Sequence, residues 1–117
     1  MVILETPIFT KQLLTTLSDD EYRLLQQYLV QRPSAGKVIP GSSGIRKLRW
    51  AKEGQGKRGG VRLIYYWFVT RETILLLFIY PKGTQEDLTP DQIKKLRKII
   101  NEEYHEKRTV PRTVGQR

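Results

Sequence analysis

Apolar residues along this chain fall into short runs whose spacing switches between strand-like and helical. Val2, Ile3 and Leu4 form a brief run that reads as a strand and stops at Thr6-Pro7. Threonine there serves as a helix N-cap, and proline takes the first helical position, where its missing N–H would have had no partner anyway. Phe9, Leu13 and Leu17 then recur on one face of a short helix that ends before Ser18. Ser18-Asp-Asp-Glu21 has the form of a capping box, and Leu24, Leu25, Tyr28 and Leu29 follow at helical spacing. Pro33-Ser-Ala-Gly36 stops that run. Two consecutive amphipathic helices are expected, paired as a hairpin or an L.

The pattern then changes period. Pro40-Gly-Ser-Ser-Gly44 reads as a loop leading into a strand over 45–51, where alternation puts Lys47 and Arg49 on one face and Leu48 and Trp50 on the other. The segment 61–69 is almost continuously apolar or aromatic, with Arg62 as its polar exception, which suits a central strand covered on both faces. Thr70-Arg-Glu72 makes a tight connection into a third strand over 73–80, so an antiparallel hairpin is expected. Between the first two of these strands lies a Gly-rich basic stretch, 52–60, read as a loop. Thr89-Pro-Asp-Gln92 opens a last helix, with Ile93, Leu96, Ile99 and Ile100 behind it and an end near His105. Residues 107–117 show no apolar period and are expected to be a flexible tail. The order predicts an α+β domain: an antiparallel-rich sheet of about four strands packed with two N-terminal helices and a C-terminal helix.

Composition narrows the class. At 117 residues with 38% hydrophobic content, the chain suits one domain with one modest core. A net charge of +9 favours polyanionic partners. No apolar run approaches the roughly 20 residues that span a bilayer, and no signal-like core follows the N-terminus, so a soluble intracellular protein is expected. The absence of cysteine excludes disulfides, thiolate metal sites and a thiol nucleophile.

The excess charge is concentrated. Arg46, Lys47, Arg49, Lys52, Lys57, Arg58 and Arg62 stand in or beside the first two central strands, with Glu53 as the only acidic residue among them. Such a cluster is read either as a face that tethers RNA without chemistry or as a catalytic surface, since affinity for phosphates needs no catalysis. Tyr65, Tyr66, Trp67 and Phe68 are consecutive, hence on both faces of one strand, and are read with Trp50 as packing rather than as a base-stacking platform. His105 lies among glutamates near a helix end and is not given a catalytic role. Glu86 and Asp87 are read as favouring the N-terminus of the last helix, and no metal-ligand spacing is present. Gly54, Gly56, Gly59 and Gly60 precede a strand, so they lack the helix dipole of a phosphate-binding loop and are read as letting Lys57 and Arg58 reach a substrate.

Several of these segments together resemble a known family. The order of elements, the helix start at Ser18, the strand Ile45-Arg-Lys-Leu-Arg-Trp50, the segment Lys57-Arg-Gly-Gly-Val-Arg-Leu-Ile-Tyr-Tyr66 and the strand end Ile79-Tyr-Pro-Lys82 resemble the HigB branch of the RelE/ParE superfamily of bacterial toxins. The similarity covers residues 1–106. It implies a compact RelE-like domain in the bacterial cytoplasm that acts as a ribosome-dependent endoribonuclease and cuts messenger RNA in the ribosomal A site. It also implies a cognate antitoxin, operator DNA bound only by the toxin–antitoxin complex, and no cofactor or metal. Family members place Lys, Arg and sometimes Tyr around the scissile phosphate; the matching positions are Arg49, Lys52, Lys57, Arg58, Arg62, Tyr80 and Lys82.

Cleavage by a neighbouring 2′-OH needs a base, stabilisation of a pentavalent phosphorane and an acid for the leaving oxygen. On that basis Arg62 and Arg58 are assigned to the transition state, and Lys57 or Lys52 to the base. Tyr80 orients the hydroxyl or stacks on a base, and Lys47, Arg49, Lys52 and Lys82 hold RNA phosphates. Two other classes stay open: a ParE-like inhibitor of DNA gyrase, against which the concentrated charge counts, and a basic binding module without an active site.

Overall fold

The computed structural model describes residues 1–52, 56–84 and 87–103; for residues 52, 56–59 and 103 it describes the backbone alone. These residues form an α+β domain. The chain runs β1 (Val2–Glu5), α1 (Pro7–Leu13), α2 (Asp19–Gln31), β2 (Lys37–Val38), β3 (Arg46–Lys52), β4 (Gly56–Phe68), β5 (Thr73–Pro81) and α3 (Pro90–Glu103). Each helix starts where its side chains provide for the first amides. Thr6 Oγ1 accepts from Phe9 N, Ser18 and Glu21 cap each other, and Gln92 N donates to Thr89 Oγ1 while Thr89 N donates to Gln92 Oε1.

One sheet runs in the order β1-β5-β4-β3-β2. β4 lies at its centre and is antiparallel to both β3 and β5. The sheet is antiparallel-rich as expected, but among the described residues it has five strands rather than about four, and β1 pairs with β5 in parallel, Val2 opposite Thr73 and Leu4 opposite Leu75. An apolar run as short as Val2–Leu4 carries no information on direction, and two helices intervene before its partner. β2 escapes detection because both its residues are exposed and leave no alternation to read. Its place is set by Ser42, whose buried hydroxyl donates to Ile39 O at 2.6 Å and accepts from Ile45 N at 3.0 Å.

The glycine-rich stretch also departs from expectation. Backbone 56–60 belongs to β4, with Gly56 opposite Lys52 and a register shift between Trp50 and Lys52. Gly60 is there for close approach, because a Cβ on it would stand 2.3 Å from the Trp50 carbonyl oxygen.

Both faces of the sheet are covered. Phe9 of α1, Leu17 of the connection, and Leu25 and Leu29 of α2 pack with Leu48, Val61, Leu63, Tyr65, Ile74, Leu76 and Ile79 on one face. Ile100 and Leu96 of α3 pack with Ile45, Ile64, Phe68, Leu75, Leu77 and Tyr80 on the other. The outer edge of β5 is closed where β1 ends: Leu76 O accepts from Thr6 N, Leu77 O from Thr6 Oγ1, and Ile79 N donates to Gln12 Oε1 at 2.8 Å.

Tyr65 ties the stretch between α2 and β2 to the central strand. Its hydroxyl donates to Pro33 O at 2.7 Å and accepts from Gly36 N at 2.9 Å. Burial raises its pKa above the usual phenol value, against the Gly36 hydrogen bond, which lowers it. Tyr65→Phe is expected to lower the free energy of unfolding by about 1–3 kcal/mol in urea melts, since Gly36 N–H is left buried without its acceptor. Because the folded pKa is raised, the phenol's contribution is full below the unfolded pKa and is lost as pH rises through the folded value. Wild-type stability should therefore fall more steeply than that of Tyr65→Phe above about pH 10, and equal alkaline slopes would refute the buried titration. Gly60→Ala should cost about 1–3 kcal/mol through overpacking against β3, read in the same melts.

Candidate functional site

Residues opposite one another in paired strands share a face, and residues two apart along a strand do too. Arg49 on β3 lies opposite Arg62 on β4, and Arg62 lies opposite Tyr80 on β5. One row, Arg49–Arg62–Tyr80, thus crosses the three central strands on the face that α3 partly covers. Lys47 stands opposite Ile64 and shares that face, so it flanks the row.

The members differ in exposure. Arg49 is exposed and makes no hydrogen bond or ion pair among the described residues. Arg62 is only 8% exposed, yet its sole hydrogen bond among them is a long one, 3.4 Å, from NH1 to the carbonyl of its neighbour Val61. A largely buried guanidinium with one long protein hydrogen bond keeps donors available for an anion. Tyr80 is 5% exposed, and its ring packs 5.5 Å from that of Phe78. Its hydroxyl is buried without a hydrogen-bond partner. Stacking on a base is therefore closed to the Tyr80 ring in this conformation, and the hydroxyl is the group left for chemistry. Burial raises the phenol's pKa, the Arg62 charge opposes that, and the Asp87 carboxylate reinforces it. Tyr80 is accordingly a proton donor at neutral pH rather than a phenolate.

Lys47 is engaged. Its Nζ stands 2.7 Å from Asp87 Oδ1, and that contact holds the Asp87 carboxyl below the usual carboxylate range. Asp87 was read from the sequence as a partner of the last helix's dipole, but Thr89 and Gln92 cap α3 and Asp87 turns to the sheet instead. Lys82 lies exposed in the turn after β5, its amide donating to Gly60 O at 3.0 Å, so its backbone is fixed beside the start of the β4 ladder. The side chains of Lys52, Lys57 and Arg58 lie outside the described residues, as do Glu86, His105 and the 107–117 tail. Tyr65 and Phe68 are buried, and Trp50 packs 5.2 Å from Tyr28, so these rings serve the core.

Two like charges opposite each other on adjacent strands repel, and an anion held between Arg49 and Arg62 relieves that repulsion. With a neutral phenol next in the row, the arrangement suits a phosphate: fork-shaped donors for its oxygens and one O–H nearby. An apolar groove of about 400 Å³ between the start of α1, β5 and α3 has Lys95 as the one titratable side chain among the described residues lining it and offers burial rather than catalysis. Compared with models of known protein families, the chain matches none.

An unpartnered buried hydroxyl contributes nothing to stability. Tyr80→Phe is expected to leave the free energy of unfolding unchanged or to raise it by up to about 1 kcal/mol. A loss beyond about 1 kcal/mol in urea melts would mean that the hydroxyl is bonded after all.

Proposed function

We propose that this protein is the toxin of a toxin–antitoxin pair, a RelE-like, HigB-branch endoribonuclease that cleaves messenger RNA in the ribosomal A site. The observation that carries this reading is the Arg49–Arg62–Tyr80 row, in register on three strands, with a largely buried guanidinium beside a buried phenol hydroxyl that has no hydrogen-bond partner among the described residues. A surface that only tethers RNA has no use for either buried group, because electrostatic affinity works from exposed lysines and arginines.

In the proposed reaction the 2′-oxygen forms a bond to phosphorus while the bond from phosphorus to the 5′-oxygen breaks. The products are a 2′,3′-cyclic phosphate and a free 5′-hydroxyl. Arg62, with Arg49 and Arg58, stabilises the charge that builds on the non-bridging oxygens. Lys57 or Lys52 takes the 2′-hydroxyl proton, its pKa lowered by clustered positive charge. Tyr80, kept protonated by burial, gives a proton to the departing oxygen or orients the attacking hydroxyl. Lys47 and Lys82 hold flanking phosphates. No metal or cofactor enters this scheme. The cognate antitoxin supplies an acidic segment for the basic surface, and the toxin–antitoxin complex binds operator DNA in the bacterial cytoplasm.

Primer extension on a defined messenger, with and without programmed 70S ribosomes, tests the reading. Cuts should appear only with ribosomes, fall at the decoding site and drop on the order of a hundredfold or more in Arg62→Ala, while ribosome binding persists. Tight binding to ribosomes or to DNA gyrase with no cuts under either condition would replace the nuclease by a non-enzymatic inhibitor.

A further inference from the structure

The face that carries the cationic row also carries a carboxylate of the protein itself. Asp87 Oδ1 is 2.7 Å from Lys47 Nζ, within the range of a charge-assisted hydrogen bond. The contact is tertiary, joining β3 to the segment between β5 and α3 across 40 residues of sequence. It is not needed to start α3, whose first turn is capped by Thr89 and Gln92. Its influence extends past Lys47, since the same carboxylate acts on the Tyr80 phenol. The pair is open to exchange from one side, with the Asp87 side chain 75% exposed against 30% for Lys47.

Beyond exposed Arg49, the row is closed. Arg62 and the Tyr80 hydroxyl are buried, so a phosphate cannot touch both until some neighbouring part of the chain moves. The Asp87 side chain meets β3 in an exposed ion pair, and such pairs are weak. A phosphodiester presents the same kind of anionic oxygen as a carboxylate and comes as part of a polyanion. It therefore competes well for one ammonium group.

We infer that the Lys47–Asp87 ion pair is a built-in competitor of the RNA, an internal anion seated where a backbone phosphate binds and exchanged for that phosphate when RNA arrives. The exchange moves Lys47 from carboxylate to phosphate and breaks its contact with Asp87 Oδ1. No covalent bond changes. The inference takes its ligand from the RNA-cleaving reading of this face, but its electrostatics hold for any single-stranded RNA bound there.

The test is a double-mutant cycle on RNA affinity. Wild type, Asp87→Asn, Lys47→Ala and the double variant are titrated into a fluorescein-labelled, fully 2′-O-methylated single-stranded RNA, which cannot be cut, with anisotropy as readout at low salt. Asp87→Asn should bind about two- to fivefold more tightly than wild type, the size expected for removing an exposed competing pair. Lys47→Ala should bind more weakly. In the Lys47→Ala background the gain from Asp87→Asn should disappear, because removing a negative charge at long range would help equally with or without Lys47. Equal gains in both backgrounds, or no gain in Asp87→Asn, overturn the inference. Ribosomal cleavage is scored separately. A wild type that cuts, with Asp87→Asn no tighter, sinks the competitor and leaves the nuclease; a coupled gain in a protein that never cuts does the reverse.

Discussion

The structure depends above all on how β4 pairs. Its side chains alternate, so fixing Leu63 against Leu48 and Ile79 sends Leu63 into the core under the first two helices and Arg62 to the opposite face. The same pairings bring Arg49 and Tyr80 level with Arg62. A strand buried on both faces ordinarily carries apolar residues throughout. β4 does so at 61, 63, 64 and 65 and departs from the pattern at 62 alone in that stretch. Core and candidate site are consequently two faces of one hydrogen-bonding arrangement, and neither can be moved without the other.

That arrangement sets stability against use. Burying Arg62 with one long hydrogen bond among the described residues, next to a phenol with none among them, is a local arrangement that folding alone would not favour. The surrounding structure compensates through well-satisfied neighbours. Gln12 and Thr6 close the open edge of β5 beside Tyr80, and Tyr65 cross-links the stretch after α2 to β4. The strands that hold the row are thereby fixed, and any rearrangement that admits an anion falls on the side chains around it.

Much of this was legible in the sequence where the signal is local. Capping pairs at Ser18 and Glu21 and at Thr89 and Gln92 mark their helices because both partners lie within one turn. The runs around 45–51, 61–69 and 73–80 mark strands because burial imposes their composition. What could not be read is set between distant residues. Nothing near Val2 announces a parallel partner at Thr73, and nothing near Lys47 announces Asp87. The glycines before Val61 suggested a loop, whereas Gly60 answers to the backbone of Trp50 across the ladder. At the site, the residue types Arg62 and Tyr80 were visible; their shared row, their burial and the idle hydroxyl were not, since register between strands has no local signature.

The parallel pairing of β1 bears on how the protein is made. β1 is synthesised well before its partner β5, and the hydrogen bond from Thr6 Oγ1 to Leu77 O spans 71 residues. Contacts so far apart in sequence form late, after the local hairpins. The nascent chain therefore waits with its first strand unpaired until β4 and β5 have emerged, and the edge of the strand that carries Tyr80 is sealed only then. A chain that stops short of β5 lacks Tyr80 and its place in the row, so the face is assembled only after β5 has emerged.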